Sequence, residues 1–277
     1  GDGSAGTGLR AARRIFHTRM TTQNADIRAG ERVDDLYRCG YRIIQDPSAF
    51  CFGMDAVLLA AFARAGAGER VIDLGTGTGV IPTLMAARYP AASYVGLELQ
   101  EAMAEMAQRS VRLNGLEEKL TIRQGDIRQV QADFPAESFR VVTTNPPYMK
   151  QHAGLHNQTD AVSLARHEIS CRLRDVMEAA GYLLSSRGRF YMVHRPLRLT
   201  EIFEEMRRVR IEPKRLRFVH PYADQEPTQV LIEGVRHGGS ELRVLPPLIV
   251  YESPGVYTQE LRQIYAVDEE TGRKQNG

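Results

Sequence analysis

Between residues 70 and 144 strand-like stretches alternate with stretches of helical periodicity, and this alternation restricts the fold more than any other feature of the sequence. Arg70 to Leu74, Ser93 to Glu98, Leu120 to Gln124 and Arg140 to Thr144 read as strands, with Val80 to Arg88 and Glu101 to Asn114 as helices between them. Strand, helix and strand in succession imply crossover connections and a parallel sheet covered on both faces. The expectation is an α/β protein with a doubly wound, Rossmann-like, mostly parallel sheet. Upstream, Tyr41 to Ile44 reads as a short strand and Met54 to Ala65 as a helix entered through Asp55. Downstream, Asp175 to Leu184 and Leu199 to Arg208 read as helices around a strand at Arg189 to His194. Arg215 to His220, Gln229 to Val235 and Leu242 to Leu245 are expected to extend one edge of the sheet in antiparallel fashion.

Composition narrows the class. The chain has 277 residues, 43% hydrophobic and 25% charged, enough to bury a full core without staples. Its three cysteines, Cys39, Cys51 and Cys171, form no Cys-x-x-Cys pair, which argues against zinc or a disulfide framework and for a reducing cytoplasm. No apolar run approaches the roughly 20 residues of a membrane span. A net charge of +2 names no partner. Residues 1–33 begin with a Gly/Ser/Ala stretch followed by scattered arginines and read as a disordered or extraneous tail, a nucleic-acid-touching arm being the alternative. Residues 34–252 are expected as one folded domain, and 253–277 as a C-terminal tail.

In a sheet of this kind ligands bind outside the carboxyl ends of the strands, where strand order reverses. Gly75, Thr76, Gly77 and Gly79 follow the first doubly wound strand directly, after Asp73, so the backbone can turn tightly and approach a ligand. The helix starting at Val80 offers free N–H groups to it. Glu98 ends the next strand, where a carboxylate can accept both hydroxyls of a ribose, and Asp126 ends the third, where it can take an adenine amino group. Leu99 and Ile127, beside these acids, complete the set. The spacing Gly-x-Gly-x-Gly differs from the dinucleotide fingerprint Gly-x-Gly-x-x-Gly. The fourth strand runs into Asn145-Pro146-Pro147-Tyr148. Two prolines with fixed φ and no N–H let the carbonyls and the Asn145 amide aim outward at a ligand; in isolation the same tetrapeptide is a tight turn closing a strand.

Together these residues resemble class I methyltransferases that use S-adenosylmethionine, and Asn145 to Tyr148 looks like the signature of those acting on adenine N6. Tyr41 to Pro47, Phe52 to Leu59, Ala165 to Glu168, Phe190 to Pro196 and Pro213 through Gly234 are similar to the bacterial tRNA1(Val) adenine-N6 methyltransferase family. The resemblance implies S-adenosylmethionine as cofactor and an adenine N6 in RNA as acceptor, in particular an adenine beside the anticodon of a tRNA. It implies catalytic roles for Asn145, Pro146, Pro147 and Tyr148. It also implies a cofactor site of Asp73, Gly75, Thr76, Gly77, Gly79, Glu98, Leu99, Asp126 and Ile127, with Asn145 touching both ligands. Phe52 and Asp55 border the methionine end on this comparison, or simply form a helix entry. The Asn-Pro-Pro-Tyr turn also serves methyltransferases of protein glutamine, and a non-catalytic partner subunit is a further alternative.

Two segments stay open. Arg166, His167 and Glu168 follow a polar stretch, 149–160, that folds over substrate or is a solvated loop. His152 and His156 are four apart, but Gly154 lies between them and no further ligands converge, so no metal is expected there. Residues 187–217 hold ten Arg and Lys against four Glu, a phosphate-tracking surface or a set of solvated helix faces.

Overall fold

The computed structural model describes residues 26–49, 51–146 and 172–265. A hairpin of β1 (Arg32–Asp35) and β2 (Arg42–Gln45) precedes α1 (Met54–Phe62). The alternating part follows as β3 (Arg70–Leu74), α2 (Val80–Arg88), β4 (Ser93–Glu98), α3 (Glu101–Leu113), β5 (Leu120–Gln124), the short α4 (Val130–Asp133) and β6 (Phe139–Thr144). The second part comprises α5 (172–183), β7 (Leu184–His194), α6 (Leu199–Arg208), β8 (Ile211–His220) and β9 (Gln229–Arg236). Four two- or three-residue strands, β10 (Arg243–Val244), β11 (Leu248–Ile249), β12 (Tyr251–Ser253) and β13 (Val256–Tyr257), lead to α7 (Gln259–Tyr265).

The central sheet has the order β10-β8-β9-β7-β6-β3-β4-β5, with β11 also on β8. Strands β7, β6, β3, β4 and β5 are mutually parallel, and β9 runs antiparallel between β7 and β8. Strand order reverses between β3 and β6. Side chains alternate faces with a period of two, so neighbouring apolar residues feed opposite cores. Val71, Val141 and Tyr191 pack under α1, α2 and α3 with Leu58, Met85 and Ala107. Ile72, Val142 and Met192 pack on the other face with Met177 and Ala180 of α5 and Ile202 and Met206 of α6. Each of these large side chains contributes about 1.5–3 kcal/mol by leaving water. Helix α6 shows the logic locally: Ile202 and Met206, four apart, are fully buried, while Glu204, Arg207 and Arg208 face solvent.

The C-terminal edge is antiparallel where β9 meets β7 and β8, as expected, and the two short strands β10 and β11 are added to it parallel to β8. The chain reverses after β9 and crosses to the outer side of β8, and a strand that reverses relative to β9 must run with β8. Three other expectations are corrected. The first 33 residues are not all tail: Glu31 pairs with Arg109 of α3 at 2.6 Å, so the hairpin is docked from its first residue. Ser110 Oγ accepts the Ile44 N–H at 2.8 Å, and the Asn114 amide exchanges two hydrogen bonds of 2.7 Å with the Arg42 backbone. The segment after Glu252 is likewise folded as far as Tyr265, since α7 packs on α1 and Leu261 is completely buried. Helix α1 stops at Phe62, before the expected Ala65, because Ala63 turns extended at ψ 146°. Among the described residues no helix is long and apolar enough to cross a membrane.

Candidate active site

The register of β3 with β6 sets the geometry. Asp73 stands opposite Thr143 and Leu74 opposite Thr144, so Gly75 and Asn145 leave the sheet side by side at its carboxyl end. Thr143 Oγ1 donates to Asp73 Oδ1 at 2.7 Å, and Thr144 Oγ1 donates to the Leu74 carbonyl at 3.2 Å. The glycine-rich turn then folds over the end of β4: the Gly75 and Thr76 N–H groups both donate to the Leu97 carbonyl at 2.9 Å. Gly75, Gly77 and Gly79 take φ of 71°, 58° and 85°, left-handed values that cost a side-chain-bearing residue about 1 kcal/mol or more. A carbon added at Gly75 would meet nothing within 4 Å, so the space in front of the turn is open.

Glu98 ties the turn to the next strand end. Its Oε1 accepts the Gly77 N–H and its Oε2 the Gln100 N–H, each at 2.9 Å. Asp73 lies beneath, 1% exposed. Burial pushes its carboxyl up to about 7, the Thr143 and Thr76 hydroxyls pulling down and the charge of Glu98 adding to the rise. Although the Thr76 hydroxyl is near enough to act on it, Asp73 Oδ2 forms no hydrogen bond of good geometry among the described residues, and neither do the Thr76 and Thr78 hydroxyl oxygens. Buried polar atoms are nearly always hydrogen-bonded, so three orphans around one glycine turn mark a place where something else supplies the partners.

The remaining sequence-derived residues are distributed around this centre. Leu99 is 60% exposed just past Glu98, an apolar side chain laid open beside the turn. Asp126 caps the short turn after β5: it accepts the Arg128 N–H at 2.9 Å and pairs with the Arg128 guanidinium at 2.7 Å, which holds its carboxyl below the usual range. It is thus engaged rather than open. Ile127 packs partly on the second core. Phe52 packs on the first core at the amino end of α1, its N–H donating to the buried Gln45 amide at 2.9 Å, and Asp55 Oδ1 accepts the Ala56 N–H at 3.0 Å. Because α1 leads down to the start of β3, its amino end faces the same end of the sheet as the glycine turn. Asn145 is half-buried and Pro146 buried. Pro147, Tyr148, His152, His156, Arg166, His167 and Glu168 lie outside the described residues.

Two residues went unread in the sequence. Thr143 is the partner of Asp73, and it follows from the strand register, which pairs the first residue of the glycine motif with the residue two before Asn145. His194 ends β7 beside β6 and is 3% exposed; burial pulls its imidazole down to about 4, so it stands neutral at ordinary pH.

Residues 40–214 match the methyltransferase small domain family. The chain belongs to that family. Among its relatives is the tRNA1(Val) (adenine(37)-N6)-methyltransferase of Porphyromonas gingivalis, 29% identical over 79% of this chain and 89% of that protein. The enzyme of the same description from Histophilus somni is 32% identical over 55% of this chain and 64% of its own length. A crystal structure of an Agrobacterium tumefaciens protein, described as a predicted O-methyltransferase, covers 77% of this chain and 97% of itself with a TM-score of 0.63 at 24% identity. At that identity the likeness shows the fold alone, a Rossmann-like α/β sheet. The family match spans both turns, the glycine-lined one after β3 and the proline one after β6.

Proposed function

We propose that the chain is an S-adenosylmethionine-dependent methyltransferase acting on N6 of an adenine in tRNA. The observation that carries this reading is the side-by-side exit of Gly75 and Asn145 from paired strands, with an unsatisfied buried carboxyl oxygen beneath them.

The residues fit the cofactor. S-adenosylmethionine offers an ammonium, a carboxylate, a ribose diol and an adenine, and the orphaned Asp73 Oδ2, Thr76 Oγ1 and Thr78 Oγ1 are the partners its polar groups need. Asp73, Gly75, Thr76, Gly77 and Gly79 would hold its amino-acid end, bordered by Phe52 and Asp55. Glu98 would take the ribose: a carboxylate has about four lone-pair sites, so the two N–H groups it already accepts leave capacity for hydroxyls. Leu99, Asp126 and Ile127 would border the adenine. When bound, the cofactor supplies an electrophilic methyl group.

The chain supplies the orientation. An aromatic amine is a poor nucleophile because its lone pair is delocalised into the ring. The Asn145 side-chain oxygen and the Pro146 carbonyl accept its two hydrogens, and both bonds strengthen as positive charge develops on nitrogen, which is transition-state stabilisation by fixed dipoles. Tyr148 would stack on the base, a contact worth about 1–3 kcal/mol. The methylated ammonium formed first is acidic enough to lose its proton to water and become the neutral product amine, so no side-chain base is required. The adenine has to lie outside a base stack, which a single-stranded RNA loop offers cheaply. The relatives named for tRNA1(Val) adenine methylation support tRNA over DNA or protein glutamine, and a tRNA substrate agrees with a cytoplasmic enzyme.

The test is incubation with unmodified tRNA and, separately, ribosomal RNA, followed by digestion to nucleosides and mass spectrometry. N6-methyladenosine is expected in the tRNA fraction alone. Its absence from both fractions, with methylglutamine formed in a protein fraction, would overturn the reading.

A further inference from the structure

The ten basic residues between 187 and 217 are not one surface. Arg189 pairs with Glu69, Arg198 with Glu201, Arg207 with Glu212, Arg208 with Glu205, Arg215 with Glu233 and Arg217 with Glu260. Lys214 donates to the carbonyls of Gly239 and Ser240. Arg187 and Arg210, by contrast, form no ion pair among the described residues, and neither does Arg236 at the end of β9.

Hydrogen bonds draw these three together at the amino end of the parallel strands. The His237 N–H donates to the Arg210 carbonyl at 2.8 Å, joining the turn after β9 to the turn before β8. Arg236 Nε donates to His237 Nε2 at 3.2 Å, so the ring hydrogen sits on Nδ1, which faces Ser186 Oγ at 3.1 Å. Arg140 Nη1 donates to the Ser186 carbonyl at 2.7 Å. Ser186 and Arg187 lie in a bulge where residues 185–188 of β7 have no partner on β6. Gly188 is what lets that bulge press on its neighbour: a side-chain carbon there would stand 2.8 Å from the Ser185 carbonyl oxygen and 3.0 Å from that of Arg140.

Arg187, Arg210 and His237 hold φ of 69°, 60° and 56°, three left-handed non-glycine residues in adjoining turns. Arg210 takes this conformation as the residue that ends α6, just past its C-cap Val209, while Arg187 and His237 carry side chains where glycine would be easier. Arg236 Nη1 is buried with no hydrogen-bond partner among the described residues. Burial pulls the Arg236 guanidinium below its ordinary value, and Arg210 adds to this against the opposing charge of Glu137. Like charges brought together around an unsatisfied donor are the complement of an anion.

We propose that Arg187, Arg210 and Arg236 form a phosphate-binding patch for the backbone of the RNA substrate, at the opposite end of the sheet from Asn145. It rests on the reading of RNA as substrate. The six residues of β6 separate the two ends, about 20 Å at 3.3 Å per residue. One short single strand lying in the Asn145 cleft does not reach the patch; a folded RNA does. The patch therefore adds affinity for the intact molecule without reading sequence.

The test compares the parent with the triple variant Arg187→Asn, Arg210→Asn, Arg236→Gln, asparagine being tolerated at left-handed positions. Full-length unmodified tRNA is expected to bind the variant about tenfold or more weakly at low salt. The slope of log affinity against log salt should fall by about two to three, near 0.7–0.9 per lost phosphate contact. S-adenosylmethionine affinity and methylation of a short oligonucleotide carrying the target adenine should match the parent. Unchanged tRNA affinity and slope would overturn the patch, as would equal losses on oligonucleotide and full-length tRNA. Should the triple variant fail to fold, Arg187→Asn alone carries the test, with an expected slope change of about one. A parent that binds no RNA of any length overturns the RNA reading itself, and the patch with it.

Discussion

Thr143 and Asp73 face each other across β6 and β3, joined by a 2.7 Å hydrogen bond that fills one oxygen of the carboxyl, while the other has no hydrogen bond of good geometry among the described residues. The folded protein keeps a proton on this group that the unfolded chain gives up near 3.8 and the native state only near 7. Any stability from the protonated carboxyl is complete below about pH 4 and is lost as pH rises through 7. Asp73→Asn, which imitates the protonated form, is expected to exceed the parent in stability near pH 8 by a few kcal/mol and to match it near pH 4. Urea midpoints at both values decide; a constant gap between the two proteins refutes the assignment. The same variant should bind S-adenosylmethionine at least about tenfold more weakly by calorimetry, because a charge-assisted hydrogen bond is worth about 1.5–3 kcal/mol.

Asn145→Ala removes a hydrogen-bond acceptor that matters most when charge appears on the amine. Turnover is expected to drop by about 100- to 1000-fold with cofactor affinity within a few-fold of the parent. A labelled-methyl assay beside calorimetry separates the two quantities, and equal turnover would remove Asn145 from the chemistry.

Glu98→Ala deletes the acceptor of the Gly77 and Gln100 N–H groups together with the candidate ribose contact. Cofactor binding should weaken by about 10- to 100-fold, on the scale of charged hydrogen bonds. Methyl transfer at saturating cofactor should recover most of the parental rate. Binding as tight as the parent's would place the ribose elsewhere.

Leu261→Ala tests whether α7 belongs to the domain. The side chain is fully buried, and Leu→Ala changes in cores cost about 2–5 kcal/mol. A thermal midpoint unchanged from the parent would show that α7 is dispensable.

The alternating core was legible because its signals are local. Each of β3, β4 and β5 appears in the sequence with the boundaries the structure gives, and the acids at their ends follow from where those strands stop. The β1–β2 hairpin was only half visible. Its strands are four residues long and depend on Ser110, Asn114 and Arg109, more than sixty positions away, so no window of sequence contains their stabilisation. Helix α7 escaped for the same reason, its Leu261 being apolar for the sake of a core built elsewhere. At the site, Asp73 and Asn145 were readable from their motifs, whereas the engagement of Asp126 by Arg128 turns on a side-chain rotamer. The arginine-rich stretch shows the limit of composition. Arg208 and Arg210 read identically in sequence, yet one sits against Glu205 and the other, in a left-handed turn, forms no ion pair among the described residues.

Strand β9 comes late in the chain yet lies inside the sheet, between β7 and β8. During synthesis, everything up to residue 228 can emerge while β7 still shows a bare row of amides and carbonyls. Such an edge recruits other chains if it waits too long. The domain is thus committed to late closure, and a ribosome stalled before Gln229 would release a sticky, half-built product. Its final assembly should be slow, limited by a pairing between segments made far apart in time.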